Sequence, residues 1–330
     1  MPIPVALLEL GKQRIRNILR DRLYANARQL ESKISEAGPT NKRCNPHVLT
    51  AALKDLTLSH EVSTENHPVD SCQFYYLTEN ARTKKNQKTL QARSNKINAI
   101  YSTYRSIAQD RRLVGDALET VFRTALKSIP DYFELGSKKN PLTIFGDKTL
   151  PGALDGTYLL GKKKLFLAVE AKNIREWIYP DRHELWSLIN KANTISDDSN
   201  LVLPVLISRK IPYYARRAFK SLGVLGYEMH NQIFDPSVSN QLELIKHKDG
   251  LGFHDISTDL SPPEKLVSFL QETVFEYGEN YAATFLENKD LFDTYAAEMA
   301  DERIKGAYRK SRWSSVKTEL GIYDNLDFYE

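Results

Sequence analysis

The sequence predicts an α/β protein in which a mixed β-sheet is flanked by helices, with a mainly helical domain ahead of it. Two observations lead there. Residues 111–230 switch between helical and strand periodicity in the order α-β-β-β-α-β, the pattern of a sheet covered by helices. Residues 1–105 carry 17 Lys+Arg against 9 Asp+Glu, whereas the remainder carries 29 against 33, so the basic charge is concentrated at one end. A surplus of that kind points to a polyanion partner. A solvated helical surface satisfies it as well.

The chain has 330 residues, enough for two domains. Hydrophobic residues make up 41% and charged residues 27%, which fits a globular composition. No stretch approaches the ~18 apolar residues that span a bilayer, so no membrane partner is expected. The opening MPIPVALLELGKQRIR lacks the basic start and small-residue cleavage site of a signal peptide. Cys44 and Cys72 form no metal-ligand spacing and read as reduced thiols. A cytoplasmic location is the expectation.

The first domain is expected over residues 1–78. Leu8, Ile15, Leu19, Leu23, Leu30 and Ile34 recur at helical spacing, predicting one or two amphipathic helices over 5–36. Ala37-Gly38-Pro39-Thr40 should stop them. Asn45-Pro46 then supplies an N-cap and a proline at the first helical position, predicting a short helix over 46–56. Alternating segments at 58–63 and 72–77, joined by a turn-rich stretch at 64–70, predict a hairpin. Helices, a short capped helix and a hairpin follow the order of a winged helix-turn-helix, whose short helix enters the major groove. Thr50 and Lys54 fall on its outer side as candidate DNA contacts. A generic helical domain with one hairpin fits the same pattern.

Residues 79–98 are polar, basic and poor in apolar anchors. They are expected as a linker, or as an exposed helical connector that touches phosphates. The core is expected over 99–260, with strands at 132–135, 153–160, 165–172, 201–208 and 226–230, and helices at 111–128, 182–192 and 212–222. Residues 261–330 read as a helical, acidic extension without a motif.

The chemistry lies in the hairpin 153–172. With its tip at Lys162-Lys163, position i faces position 325 − i, so Asp155 lies opposite Glu170 and Lys172 shares their face. Opposed side chains stand ~4.5–5.5 Å apart at Cβ, and like charges there repel. A carboxylate pair beside the apolar run LFLAV is costly unless a shared proton, a protein cation or a divalent metal neutralises it. Lys172 supplies one charge against two, which leaves room for a hard cation. An ordinary surface charge cluster is the competing reading.

The segment PGALDGTYLLGKKKLFLAVEAKN resembles the core motif of the PD-(D/E)xK nuclease superfamily, the restriction-endonuclease-like proteins. Asp155 stands as the first acid and Glu170-Ala171-Lys172 as the second element. The order of elements over 110–230 extends the resemblance; Leu154 stands where the motif name has proline. Glu-x-Lys by itself is weak, since it recurs at Glu31–Lys33 and Glu287–Lys289.

The resemblance implies a Mg²⁺-dependent endodeoxyribonuclease acting on double-stranded DNA, with Mn²⁺ able to substitute. It implies metal ligation by Asp155, Glu170 and the Ala171 carbonyl, and a catalytic Lys172. A further acid from the helix ahead of the sheet is expected at Glu119, with Asp116 as alternative. Arg175, Arg182 and Lys191 are weaker candidates for phosphate contacts, as is the basic run Arg209, Lys210, Arg216, Arg217 and Lys220. His183, Glu184, Trp177 and Trp186 are expected to be structural. Restriction is the leading role; repair, recombination or transposon-end cleavage, and a non-catalytic winged-helix regulator, are the alternatives. Cutting both strands needs two sites, so a homodimer is expected.

Overall fold

The computed structural model describes residues 3–36, 44–67, 72–136 and 141–322. The chain divides into two compact units, Met1–Asp110 with Pro236–Ile256, and Arg111–Asp235 with Ser257–Glu330.

In the first unit the order is α1 (Val5–Arg22), β1 (Ala25–Asn26), α2 (Ala27–Glu31), α3 (Pro46–Leu58), β2 (Val62–Asn66), β3 (Gln73–Leu77) and α4 (Lys84–Gln109). The strands form an antiparallel sheet in the order β1-β3-β2. Ile15 and Leu19 bury the inner stripe of α1. Asn26 starts α2 with a reciprocal cap: its side chain accepts from the Gln29 N–H at 2.9 Å, and its own N–H reaches Gln29 Oε1 at 3.0 Å. The helix then continues through a π turn, Ser32–Glu36. Pro46 opens α3 at its first position, and Val48, Leu49, Ala52, Leu53 and Leu56 form its buried face, as the spacing predicts.

Three sequence expectations need correction here. The first hairpin strand begins at Val62, because α3 extends through Leu58 and a left-handed His60 (φ 59°) turns the chain. Residues 64–66, expected in a turn, belong to β2. Of the two expectations for residues 79–98, the exposed helical connector is found and the linker is not: the 26-residue α4 begins within them, capped by the Thr83 side chain on the Asn86 N–H at 3.2 Å. Ile97, Ile100, Tyr101, Tyr104 and Ile107 give α4 a packing face in its second half, and its exposed first half extends from that. The helix stop expected at Ala37–Thr40 and the hairpin turn at 68–70 lie outside the described residues.

The boundary therefore falls at Asp110–Arg111, not at residue 99. Residues 236–256, expected in the core, belong to the first unit and carry α8 (Ser239–Lys246). Long polar side chains hold them: Arg93 donates to the Asp249 carbonyl at 2.7 Å, and Gln29 and Arg22 donate to the Leu251 carbonyl.

The second unit is a mixed sheet flanked by helices. It runs α5 (Arg111–Lys127), β4 (Tyr132–Glu134), a small hairpin of β5 (Ile144–Phe145) and β6 (Lys148–Thr149), β7 (Gly156–Leu160), β8 (Leu165–Lys172), α6 (His183–Ile195), β9 (Val202–Ser208), α7 (Tyr213–Ser221) and β10 (Leu225–Glu228). Helices α9 (Glu264–Ser268), α10 (Val274–Glu287), α11 (Lys289–Ala300) and α12 (Gly306–Glu319) follow, the first two joined by a π turn. The strand order is β10-β9-β8-β7-β4, antiparallel from β4 to β8 and parallel from β8 to β10.

The alternation along β8 decides what each face holds. Leu165, Leu167 and Val169 enter one core with Val121 and Phe122 of α5 and Val274 of α10. Ala168 enters the other with Trp186 and Ile189 of α6, Phe219 of α7 and Phe292 of α11. Strand β9 is buried along its whole length, as a central parallel strand should be. Among the described residues no helix is long and apolar enough to cross a membrane.

Candidate active site

The hairpin register is the one its sequence predicts, from Gly156 opposite Val169 to Leu160 opposite Leu165. One step further sets Asp155 opposite Glu170, but the ladder ends at Gly156. The reason is local. The Asp155 carboxylate takes the Ala171 N–H at 2.8 Å, and the Arg123 guanidinium on α5 donates to the Asp155 carbonyl. Side-chain bonding thus replaces the backbone pairing expected over 153–155. Gly156 lets α5 come close, since a Cβ there would stand 2.7 Å from Tyr158 and 3.1 Å from Phe122.

Glu170 is 3% exposed, and both of its oxygens are engaged. Lys172 Nζ reaches Oε1 at 2.6 Å, and Lys191 Nζ, from α6, reaches Oε2 at 3.0 Å. Two lysines face two acids. This corrects the expectation of one lysine against two carboxylates: the protein's own charges balance without a metal. It also corrects the expectation that Lys191 holds phosphate, because it is buried on Glu170.

Burial raises the Asp155 carboxyl above the ordinary range, and the neighbouring Glu170 carboxylate raises it further; Lys172, the Ala171 N–H and Lys191 offset only part of this. Burial alone would lower the Lys172 ammonium, but Glu170 and Asp155 outweigh it and hold its pKa above the usual lysine value. Glu184, expected to be structural, is buried and adds to the field on Lys172. Ser208 is paired with Lys172 across β8 and β9 and buries a hydroxyl that has no hydrogen-bond partner among the described residues.

The other candidates scatter. Glu119 is buried on α5, beside the opposite core, and its ion pair is with Arg111 at 4.0 Å. Among the described residues no three His, Cys, Asp or Glu side chains group as metal ligands, so Glu119 does not join Asp155 and Glu170 as a third acid. Arg175 is buried, its carbonyl taken by Arg209 at 2.6 Å, and Arg182 pairs with Glu184 at 3.0 Å. In the second basic run Lys210 and Arg216 pair with Glu228 at 2.8 and 2.7 Å, and Arg216, Arg217 and Lys220 are exposed. Burial would raise the Glu228 carboxyl, yet His230 and Lys210 pull it far below the carboxylate range. Trp186 is fully buried, its indole N–H on the Pro180 carbonyl at 2.7 Å. In the first unit Thr50 and Lys54 are exposed on α3, the Thr50 hydroxyl donating to the Pro46 carbonyl at 2.9 Å.

The chemistry of the donor set suits a hard divalent cation. Asp155, on the Ala171 N–H, and Glu170, held by Lys172 and Lys191, supply carboxylate oxygens near the end of β8, and Mg²⁺ keeps several waters, so few protein ligands suffice. Comparison with protein-family models, with curated proteins and with solved structures returned no match.

Proposed function

We propose that this chain is a Mg²⁺-dependent endodeoxyribonuclease of the restriction type, built on a PD-(D/E)xK-like core. The observation that carries the reading is the acid pair beside the hairpin: Asp155, one residue before β7, accepts the Ala171 N–H of β8 at 2.8 Å, next to Glu170, to which Lys172 is bonded. The mixed sheet behind α5 supports it.

Asp155, Glu170 and the Ala171 carbonyl would hold the ion, with Mn²⁺ able to replace Mg²⁺. When bound, the ion lowers the pKa of a coordinated water and screens charge on the scissile phosphate. Lys172 keeps its proton and acts as a cation that orients the attacking water and stabilises the phosphate in the transition state. Lys191, on Glu170 at 3.0 Å, would compete with such an ion for that carboxylate.

The first unit supports a DNA-binding reading. Its connectivity α1-β1-α2-α3-β2-β3 with strand order β1-β3-β2 fits a winged helix, in which α3 would present Thr50 and Lys54 to the major groove of double-stranded DNA. Cleavage of both strands calls for a homodimer.

A second reading, a non-catalytic DNA-binding regulator, draws on the charge balance, because Lys172 and Lys191 already satisfy Glu170. Incubation of supercoiled plasmid with Mg²⁺ separates the two. Nicked and linear DNA from the intact chain, absent with Asp155→Ala, supports the nuclease; unchanged plasmid supports the regulator. Discrete bands mark a restriction enzyme, and a smear marks a repair or recombination nuclease of the same fold.

A further inference from the structure

The second unit carries a cavity of about 230 Å³ between the chain that follows β8, the first turns of α7 and one face of α12. Tyr179 and Tyr214 line it, their ring centroids 5.8 Å apart and tilted by 35°, and Trp313 completes the aromatic wall. Lys310, Trp313 and Lys317 are three and four residues apart on α12, so they share a face. Asp181 is the one acid among the lining residues, against two lysines.

The walls are anchored. The Ile178 N–H donates to the Lys210 carbonyl at 3.0 Å, just before Tyr179. Trp186 donates to the Pro180 carbonyl at 2.7 Å. Tyr179 follows Lys172 by seven residues, which bounds its distance from the acid pair's strand end at ~25 Å.

Drug-sized ligands occupy ~300 Å³ or more, so this volume suits a single ring system. Aromatic walls stack on a base whatever its identity. The lysines select an anion, and Asp181 can accept from an exocyclic amine. We propose that the cavity takes one unstacked nucleotide of a DNA strand, its base stacked against the aromatic wall and its phosphate on Lys310 and Lys317. The ligand class rests on the nucleic-acid reading above; the binding itself needs neither metal nor cleavage.

The test is fluorescence anisotropy of a labelled single-stranded adenine hexamer with the full chain in EDTA. Trp313→Ala should weaken binding about ten- to a hundredfold. Lys310→Glu, an exposed change that leaves the core untouched, should weaken it and flatten its salt dependence. A hexamer of abasic sites should bind the intact chain no better than the adenine hexamer binds Trp313→Ala. Equal affinity for intact and abasic strands, or affinity unchanged in both variants, overturns the proposal. Plasmid cleavage without base-dependent hexamer binding removes the pocket alone; base-dependent binding without cleavage removes only the nuclease.

Discussion

Lys191 on α6 and Glu170 on β8, 21 residues apart in sequence, form a buried ion pair at 3.0 Å. Lys172 closes the other side of the same carboxylate at 2.6 Å. Two lysines thus already face the two acids, and a metal held there would compete with them for Glu170. Several measurable consequences stem from that competition.

Lys191→Met leaves Asp155 and Glu170 with a single lysine. Breaking a buried pair from one side costs about 3–5 kcal/mol. In EDTA the variant should melt well below the intact chain, and Mg²⁺ should raise its melting temperature more than it raises that of the intact protein. Equal Mg²⁺ increments in the two melts would show that Lys191 does not compete with the ion.

Asp155→Asn should raise stability at neutral pH while abolishing cleavage. The Asp155 carboxyl has its pKa raised by burial and by Glu170, so the folded state binds more protons than the unfolded one, and stability falls as pH rises through that interval. Only well below the ordinary aspartate pKa of ~3.9 is the carboxyl neutral in both states, so the advantage of asparagine shrinks as pH falls toward that value. A gain of 1 kcal/mol corresponds to roughly 2–4 °C in a protein of this size. Melting curves from pH 3.5 to 8 check it, and a difference that does not vary with pH contradicts the assignment.

Lys172→Ala should lower single-turnover cleavage by about 10²–10³-fold, the usual loss of one charge-stabilising donor. Affinity for duplex DNA should stay within a few-fold. Cleavage that survives at more than a tenth of the original rate removes Lys172 from the chemistry.

Lys54→Glu on α3 should weaken duplex binding and reduce the slope of log K against log salt by about 1, the signature of one lost phosphate contact. The mixed sheet lies in the other unit, so the melting temperature in EDTA should hold. Binding with an unaltered salt slope would place the DNA elsewhere.

The parts of this protein legible in its sequence are those governed by local periodicity. Strand β8 appears with its predicted ends, Leu165 and Lys172, its apolar run LFLAV making it a central strand. The hairpin register follows from its tip, and α3 from Asn45-Pro46. Less legible were features set by packing between distant segments. Lys191 lies in the stripe Glu184, Leu188, Ala192, Ile195 that α6 buries, and a lysine in such a stripe is the one signal that could have exposed its partner. The basic tract at the start of α4 resembles a linker because its apolar anchors begin only at Ile97. Residues 236–256 join the first unit through arginine and glutamine contacts to backbone carbonyls, which leave no periodic trace. The early end of β7 depends on one side chain capturing one N–H.

The central claim is that Asp155 and Glu170 together hold a divalent cation. Anomalous scattering from crystals grown with Mn²⁺ tests it directly. One strong peak is expected at Asp155 and Glu170, with Lys191 turned away from Glu170. Density showing both lysines still on Glu170, and no manganese between the acids at saturating concentration, would contradict it.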